Sequence, residues 1–423
     1  MESTETKSPV VTQTGTIEIR IARSIPEVSA LRDAWGKMCV DPNADIDFYR
    51  TIIESRSEVL HPHVIVLKRN GAIHSILAGR LERKELDVHL GYKKVRLASV
   101  RCLTLIHGGL LGEESQDCVA RLVESVVESL RNGEADVAWF YGLDVRSDFY
   151  RVARKAGGFL TRDYFPGQIH RWKLQLPPTY EELYRGLSSN TKHNLKRYSK
   201  RLRDTFSHQL TTRSFLELRD LEWLLADTEV IAAKTYHRGL GVGFIDNEET
   251  RRTMTLAAEQ GWLRAHILYV AGKPCAFWNG VLYRGTFFTS TTGYDPAFQE
   301  YRPGTFLLQK MLQDLYSEKI ADKVDFGFGD AQYKRDWCHQ EQLQTSFLLF
   351  APTLKGIYLN CLRTPLIGAV NGARRTLMRI GVFQKVKRAW RERLATKTKQ
   401  GCSSNKPEEA PMPQPVSLSG GSS

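Results

Sequence analysis

Hydrophobic residues recur along this chain with two different periods, and the changes of period predict its secondary structure. Apolar and polar residues alternate over residues 17–21, which is typical of a half-buried strand. The β-branched and aromatic run 286–292 predicts a buried strand, and apolar residues at helical spacing follow over 303–317. Lys323–Phe328 is a further apolar run. The stretch 286–337 therefore predicts a strand, a loop, a helix and a strand, which together form a βαβ unit.

The same patterns place the other elements along the chain. Strands are predicted over residues 64–67, 73–81, 95–100, 102–107, 137–141, 169–176, 263–270, 275–283 and 344–350. Helices are predicted over residues 26–38, 46–57, 115–130, 148–156, 180–186, 189–203, 216–234 and 250–259. Asn70-Gly71 between two strands indicates a hairpin, and Asp45 is a candidate helix N-cap. Gly108-Gly109 is expected to interrupt the sheet.

Three stretches of the first half resemble three stretches of the second half in the same order. The aligned pairs are 63–83 with 266–285, 105–126 with 293–315, and 136–144 with 323–330. The offsets stay at roughly 190–200 residues, which predicts two tandem copies of one α/β domain with a mixed sheet flanked by helices. Because identity between the halves is low, a chance alignment of strand-turn-strand patterns is the alternative.

The predicted domain organisation follows from these repeats and from shifts in composition. Pro177-Pro178 marks the boundary between the two halves. The expected units are a polar N-terminus (1–16), a first half (17–176), a second half (177–350), a basic helical extension (351–398) and a polar tail (399–423). The composition of the two termini is typical of disordered segments.

Composition and charge indicate which classes of partner and which kinds of site the protein is expected to have. The net charge is +13 over 423 residues, which favours an anionic partner such as a nucleotide cofactor, RNA or a membrane surface. The seven cysteines form no CxxC pair, so we expect reduced thiols and a cytoplasmic location. No cluster has the spacing of a zinc site, so we expect no metal, and no signature of a Ser or Cys acyl-enzyme is present. No uncharged run is long enough to span a bilayer.

Four motifs carry a resemblance to a known family. They are LSSNTKHNLKRYSKRL (187–202), KTYHRGLGVGF (234–244), RPGTFLL (302–308) and GDAQYKRDW (329–337). With the repeat, they make the chain similar to the FemAB-type branch of the GNAT acyltransferase superfamily, and more closely to the BioF-like or CelD/BcsL-like acetyltransferases. The resemblance implies acyl transfer to an amine or hydroxyl of a small or polymer-linked acceptor, in cell-envelope or polysaccharide synthesis. The implied donor is acetyl-CoA, another acyl-CoA or, as in the Fem enzymes, an aminoacyl-tRNA.

The second half departs from the glycine-rich GNAT motif, whose small residues let backbone amides contact the pyrophosphate of CoA. Aligned on Gly304, the first position of the motif holds Tyr301 and the last holds Phe306. Phe306 either prevents close approach of the pyrophosphate or turns inward as part of the core. A degenerate GNAT pair that binds RNA or a membrane without catalysis is therefore a further alternative.

The segment after the last inner strand supplies the candidate catalytic residues. Lys334 is a candidate to stabilise an oxyanion or phosphate, and Tyr333 to protonate the leaving group. Asp330 or Asp325 is a candidate to accept the proton of the acceptor. In the alternative interpretation, Tyr333 packs in the core, Lys334 is solvated and Asp330 caps a turn. We expect an exposed Lys334 to contribute little to stability.

Two regions supply the candidate binding residues. Arg302, Gly304 and Thr305 lie where a helix N-terminus is expected to bind the phosphates of the donor. The candidates for binding the acceptor are Tyr294, His237, Lys192 and Lys196. The two lysines belong to a basic helix face, which suits a nucleotide-linked acceptor or the acceptor stem of tRNA. The alternative is that these side chains are simply solvated.

Basic and apolar residues interleave again near the C-terminus. Residues 370–394 form a candidate amphipathic helix that contacts an anionic membrane, which places the protein peripherally at the inner face. Pro365 and Gly381 are expected to break the helices of this extension. A helix docked on the preceding domain is the alternative.

Overall fold

The computed structural model describes residues 16–90, 93–235, 238, 243–338 and 340–379. Strands β1 to β12 are Ile17–Ala22, Val59–Arg69, Ala72–Leu90, Lys93–Gly112, Val137–Asp144, Gly167–Gln175, Leu210–Phe215, Leu263–Val270, Lys273–Tyr283, Thr286–Tyr294, Lys323–Phe328 and Gln340–Phe350. Helices α1 to α12 are Ile25–Ser29, Arg32–Met38, Ile46–Ser55, Gln116–Arg131, Asp148–Lys155, Tyr180–Gly186, Ser189–Phe206, Leu221–Ala232, Glu248–Glu259, Pro303–Glu318, Gln332–Trp337 and Leu354–Arg379.

The strands form one mixed sheet of 12 strands, in the order β1-β2-β3-β4-β5-β12-β6-β11-β10-β9-β8-β7. Reading inward from either edge, four antiparallel strands are followed by one parallel pairing, β4 with β5 and β10 with β11. The prediction of a mixed α/β fold is confirmed. The two halves exchange their last strands, because β12 pairs with β5 of the first half while β6 pairs with β11 of the second.

Local sequence signals explain most of the turns and helix ends. Asn70 and Gly71 have φ values of 52° and 80°, and Ala271 and Gly272 have 50° and 73°. Two consecutive left-handed residues make the tight turn that the twist of a hairpin favours, and glycine adopts that conformation without strain. The side chain of Asp45 accepts hydrogen bonds from the first turn of α3, as the N-cap prediction requires.

Two predicted interruptions are wrong. Strand β4 continues through Gly108-Gly109 to Gly112, because a bulge with Gly108 at φ 70° absorbs the irregularity while pairing with β3 resumes. A Cβ at Gly108 would lie 2.7 Å from the Cβ of Asp41, so only glycine fits there. Helix α12 runs through Pro365 without a break. Residue Gly381 lies outside the described residues.

Each half contributes its exchanged strand to the hydrophobic core of the other. Phe347 and Leu349 of β12 are buried against α4 and β5 in the first half. Trp172 and Leu174 of β6 are buried with α7 and α10 in the second half. Burial of such side chains stabilises the fold by roughly 1.5–3 kcal/mol each. The two cores are therefore linked through the exchanged strands as well as through the continuous sheet.

Other features of the fold bear on the expectations for thiols, metals and membranes. The cysteines within the described ranges are free, and all but Cys361 are buried. In the same ranges, no group of His, Cys, Asp and Glu side chains has a metal-binding arrangement. None of the helices that the structure describes is sufficiently long and apolar to cross a membrane.

Candidate functional site

A cleft of about 2620 Å³ lies across the centre of the sheet and is lined by both halves. The first half contributes cleft-lining residues of β3, β4 and β5. The second half contributes residues of β9, β10 and β11, one face of α7, and the starts of α10 and α11. A cavity of this size accommodates two substrates side by side, since typical ligand sites occupy about 300–1,000 Å³.

The cleft enters the second half where two parallel strands separate. Strands β10 and β11 pair from Thr286 and Lys323 as far as Phe288 and Asp325. Beyond these residues the two strands no longer pair with each other, although each stays paired with its outer neighbour, and their ends line the cleft. Backbone amides and carbonyls that neighbouring strands no longer use are available to a ligand that enters the gap.

Helix α10 begins at the mouth of this gap. Its N-cap, Arg302, has left-handed φ and ψ of 51°, and the amides of Thr305 and Phe306 both donate to the Arg302 carbonyl. Pro303 has no amide proton, so within the described residues the Gly304 amide is the uncommitted donor of the first turn. The helix dipole, this amide and the Arg302 guanidinium favour an anion here.

The two bulky residues of the altered glycine motif turn away from the cleft. Phe306 is 6% exposed and belongs to the core of the second half. The Tyr301 ring packs edge-on against Phe206, with centroids 4.9 Å apart. Neither side chain therefore blocks the approach of an anionic group to the Gly304 amide, and the inward alternative for Phe306 is confirmed.

Lys334 lies at the carboxyl end of β11, and its side chain is buried. Its Nζ donates to the carbonyl oxygens of Phe328 at 2.6 Å and Gly327 at 3.3 Å. Burial lowers the pKa of the Lys334 ammonium to about 8, although the nearby Cys338, Asp325 and Asp330 raise it. The expectation of a solvated lysine is wrong, because α11 turns its buried face towards the end of β11. An ammonium has three protons, so one remains for a ligand.

The other residues predicted around the reaction centre also line the cleft. Asp330 forms an ion pair with Arg335, and the Tyr333 ring packs edge-on against Trp278 and Phe326 at centroid distances of 5.4 and 5.8 Å. The cleft brings together seven predicted site residues, namely Lys334, Asp330, Tyr333, Arg302, Gly304, Thr305 and Tyr294. Tyr294 lies beside the helix start, since its Cδ1 is 3.8 Å from where a Cβ of Gly304 would be.

Two predicted acceptor residues, Lys192 and Lys196, do not line the cleft. The Lys192 Nζ donates to the Arg185 carbonyl at 2.7 Å, and this side chain does not line the cleft. Lys196 lines a separate groove of about 470 Å³ between α7 and α10. Helix α7 instead presents Asn190, Asn194 and Tyr198 to the cleft. His237 lies outside the described residues.

A buried polar cluster between the two halves was largely missed by sequence reasoning. Arg171 of β6 donates through Nε to Asp325 at 2.8 Å and through Nη2 to Asp41 at 3.1 Å, and its Nη1 contacts His107. All four side chains are at most 10% exposed. The available signal was Arg171 itself, a charged residue within the predicted strand 169–176.

Electrostatics keep this cluster in one charge state near neutral pH. Burial and the neighbouring Arg171 charge lower the pKa of His107 to about 4, so the imidazole is neutral. Burial opposes ionisation of Asp41, but its interactions with His107 and with the positive Arg171, together with bonds from Asn43, hold the pKa of its carboxyl below the ordinary value. Arg171 therefore bridges a carboxylate of each half.

The side chain of His107 makes the gap between the parallel strands of the first half different from the corresponding gap in the second half. In the first half, β4 and β5 pair in parallel from Cys102 and Val137 to Leu105 and Phe140. Just beyond, the His107 Nδ1 donates to the carbonyl of Gly142 at 3.1 Å, so a side chain bridges the gap between the strands. The corresponding gap in the second half opens into the cleft.

The mixed sheet, the parted parallel strands and the helix start between them define a GNAT-type acyltransferase fold. Residues 189–335 match the family model described as "Acetyltransferase (GNAT) domain". That match spans β7 to β11 and α7 to α10, which include β10, β11 and the helix start that form the open gap and its mouth.

Solved structures are similar to this chain at low sequence identity. FemX is similar with a TM-score of 0.51 at 11% identity, over 76% of this chain and 95% of FemX. A conserved protein of unknown function from Bacteroides thetaiotaomicron has a TM-score of 0.48 at 12% identity, over 78% of this chain and all of that one. A tandem GNAT protein from the clavulanic acid biosynthesis pathway has 0.45 at 10% identity, over 80% and 99%. No curated protein matches the sequence.

Proposed function

We propose that this chain transfers an acyl group, acetyl or another, from an acyl-CoA to an amine or hydroxyl of an acceptor in the cleft. The observation that carries the proposal is the separation of β10 and β11 beyond Phe288 and Asp325, beside the start of α10. The phosphates of the donor bind at Arg302 and the Gly304 amide, and its thioester extends towards Lys334. The family match over residues 189–335 supports a donor site in this half.

Acyl transfer requires three kinds of assistance: a proton must leave the acceptor, the carbonyl must be polarised, and the leaving group must be stabilised. The Lys334 ammonium supplies positive charge from a buried position, where its effect is larger than at an exposed one. Asp330 receives the acceptor proton, since its carboxylate lines the cleft beside Arg335. Tyr333, which also lines the cleft, protonates the leaving thiolate.

The acceptor that we propose is a cell-envelope or polysaccharide precursor, which is the class implied by the resemblance to BioF-like and CelD-like acetyltransferases. Such an acceptor reaches the reaction centre from the first half, because β3, β4 and β5 form the opposite wall of the cleft. We place the reaction in the cytoplasm, where the acyl-CoA donor is available.

A second candidate is transfer of an aminoacyl group from a charged tRNA. The likeness of fold to FemX permits it, and the basic helix α7 favours it. This helix carries Lys196 and Lys200 in the neighbouring groove while Asn190 and Asn194 face the cleft. A phosphate backbone on the outer face of α7 would direct the end of a tRNA into the cleft.

Calorimetric titrations with acetyl-CoA and with charged tRNA distinguish the donors. We expect acetyl-CoA to bind, and Arg302→Met to weaken binding about tenfold because a charged hydrogen bond to phosphate is lost. Arg219→Met is the matched control, since Arg219 is exposed on another element. Binding of charged tRNA alone would establish the second candidate. Absence of turnover with either donor would favour the remaining alternative, a degenerate GNAT pair that binds RNA or a membrane without catalysis.

A further inference from the structure

Three charged residues alternate along β3 on the face that lines the cleft: Arg80, Glu82 and Lys84. The Glu82 carboxylate is buried. Its Oε2 accepts a hydrogen bond from Arg80 Nε at 2.7 Å, and its Oε1 lies 2.5 Å from Lys84 Nζ. Thr104 of β4 donates its hydroxyl to the same Oε1 at 2.5 Å. One carboxylate thus faces two cations, so the group carries a net charge of +1.

The charge count holds at neutral pH because the carboxylate stays ionised. Burial alone would raise the pKa of Glu82, but Lys84 and Arg80 lower it to about 2. The two cationic side chains are themselves only 10% and 19% exposed. An excess charge that is this poorly hydrated is unfavourable unless a counter-charge joins it.

The group of Arg80, Glu82 and Lys84 also contains more hydrogen-bond donors than its one carboxylate uses. Glu82 uses one of the five N–H groups of the Arg80 guanidinium, and the two terminal nitrogens make no hydrogen bond within the described residues. Arg171 in the neighbouring cluster is different, because it lies between two carboxylates. The free edge of a guanidinium matches the paired oxygens of a carboxylate or phosphate.

The surroundings complete a built subsite. Lys84 Nζ lies 4.3 Å from the centre of the Trp139 ring, and Trp139 packs against Tyr141 with centroids 4.8 Å apart. Both aromatic residues line the cleft. Beside them, Arg56 and Glu249 form a bidentate ion pair at 2.7 Å, which is balanced in charge and joins the first half to the second.

We propose that the acceptor carries a carboxylate or phosphate group, and that Arg80 and Lys84 bind this group at the first-half end of the cleft. Our description of this ligand as the acceptor rests on the proposed transfer function. The anion-binding site itself does not depend on that function. With its anionic end held here, an extended acceptor places its amine or hydroxyl towards Lys334 at the other end of the cleft.

Weak-binding probes test the site without turnover. Inorganic phosphate is titrated with the full-length protein and followed by ³¹P line width, and acetate is followed by ¹³C line width. We expect saturable broadening of at least one probe, and the preferred probe identifies phosphate or carboxylate. Arg80→Met and Lys84→Met should each weaken binding about tenfold or more, since each removes a charged contact.

Two further variants make the test specific. Glu82→Gln raises the local charge to +2 and should strengthen binding, whereas Arg101→Met removes a cation of β4 that does not line the cleft and should change nothing. If Arg80→Met fails to fold, Lys84→Met decides, because it leaves Glu82 paired with Arg80. The proposal is overturned if neither probe binds, or if all variants bind equally. Because no donor is present, this result is independent of whether the protein transfers acyl groups.

Discussion

At the scale of single residues, burial changes what the predicted site residues can do. Lys334 was expected to be solvated, but the fold places its ammonium on the carbonyl oxygens of Gly327 and Phe328. A buried cation in a cleft influences a developing negative charge more strongly than an exposed one. It also makes the residue part of the structure, because its removal leaves two carbonyl groups without their donor.

Replacement of Lys334 should therefore affect both rate and stability. Lys334→Met should lower kcat about 10²–10³-fold, because one charge-stabilising contact is lost. It should also lower the free energy of unfolding by roughly 1 kcal/mol, because two part-buried carbonyls lose their donor. Steady-state turnover and urea denaturation measure the two effects. Arg219→Met, which removes an exposed cation outside the cleft, is the control and should keep near-normal kcat.

The pH dependence of the reaction tests the charge of Lys334. Its pKa is about 8, so a role as a cation predicts that kcat/KM falls as the pH rises through 8, when the ammonium loses its proton. A role as a general base predicts the opposite slope. Lys334→Arg should remove the fall near pH 8, because a guanidinium stays charged, without restoring full activity. A rate that rises through pH 8 in the wild type would contradict the assignment.

At the scale of elements, helix α12 begins with turns that pack against the first half. Leu359 is buried against the first half, and Asn360 donates to the carbonyls of Leu160 and Arg162. Arg363 forms an ion pair with the buried Asp163. These contacts fix the start of the extension, so the docked-helix interpretation holds for this part. The basic and apolar pattern of residues 370–394 lies further on, mostly outside the described residues.

A truncation after residue 369 tests membrane contact and keeps the docked contacts. We expect the full-length protein to sediment with anionic vesicles and the truncated protein to remain in solution, because the basic residues near the C-terminus are gone. Neutral phosphatidylcholine vesicles should bind neither protein. Equal sedimentation of both proteins with anionic vesicles would show that 370–394 is not the contact.

At the scale of the whole molecule, the exchange of β6 and β12 makes the halves interdependent. The sequence boundary at Pro177-Pro178 separates β6 from the strands beside which it packs. A fragment 177–350 contains β12 without its partner β5 and lacks Trp172 and Leu174 of its core. By its contacts the second half therefore begins with β6, whereas the sequence boundary places its start after β6.

Fragments of the chain can show which boundary defines a folding unit. We expect residues 163–338, which keep β6 and omit β12, to fold with a cooperative urea transition. Residues 177–350 should remain unfolded or aggregate, because a core strand is missing and β12 exposes unpaired edges. Circular dichroism and analytical ultracentrifugation measure the outcome. Cooperative folding of 177–350 alone would show that β6 contributes little.

Two buried histidines away from the cleft make stability depend on pH. Burial lowers the pKa of His63 and of His266 to about 4 each, whereas an unfolded histidine titrates near 6.5. The unfolded chain therefore binds more protons between these values, so stability is lost as the pH falls below about 6.5. Each histidine should cost roughly 2 kcal/mol between pH 7 and pH 5. Urea midpoints at the two pH values measure the loss, and His266→Gln should remove roughly 2 kcal/mol of it. The buried His107, whose pKa is also lowered to about 4, contributes to the remainder.

The sequence alone determined the features that depend on neighbouring residues. The hairpin at Asn70-Gly71, the N-cap at Asp45 and the βαβ unit follow from local turn chemistry and hydrophobic period. Motif resemblance also placed seven candidate residues that line one cleft.

Only the tertiary structure decided which distant elements meet. The exchange of β6 and β12 and the Arg171 cluster depend on contacts between segments far apart in sequence. A hydrophobic period gives the buried face of a strand but not its neighbour, since the same face can pack beside any apolar strand. The chemistry of the cleft therefore depends on which strands and helices lie next to one another.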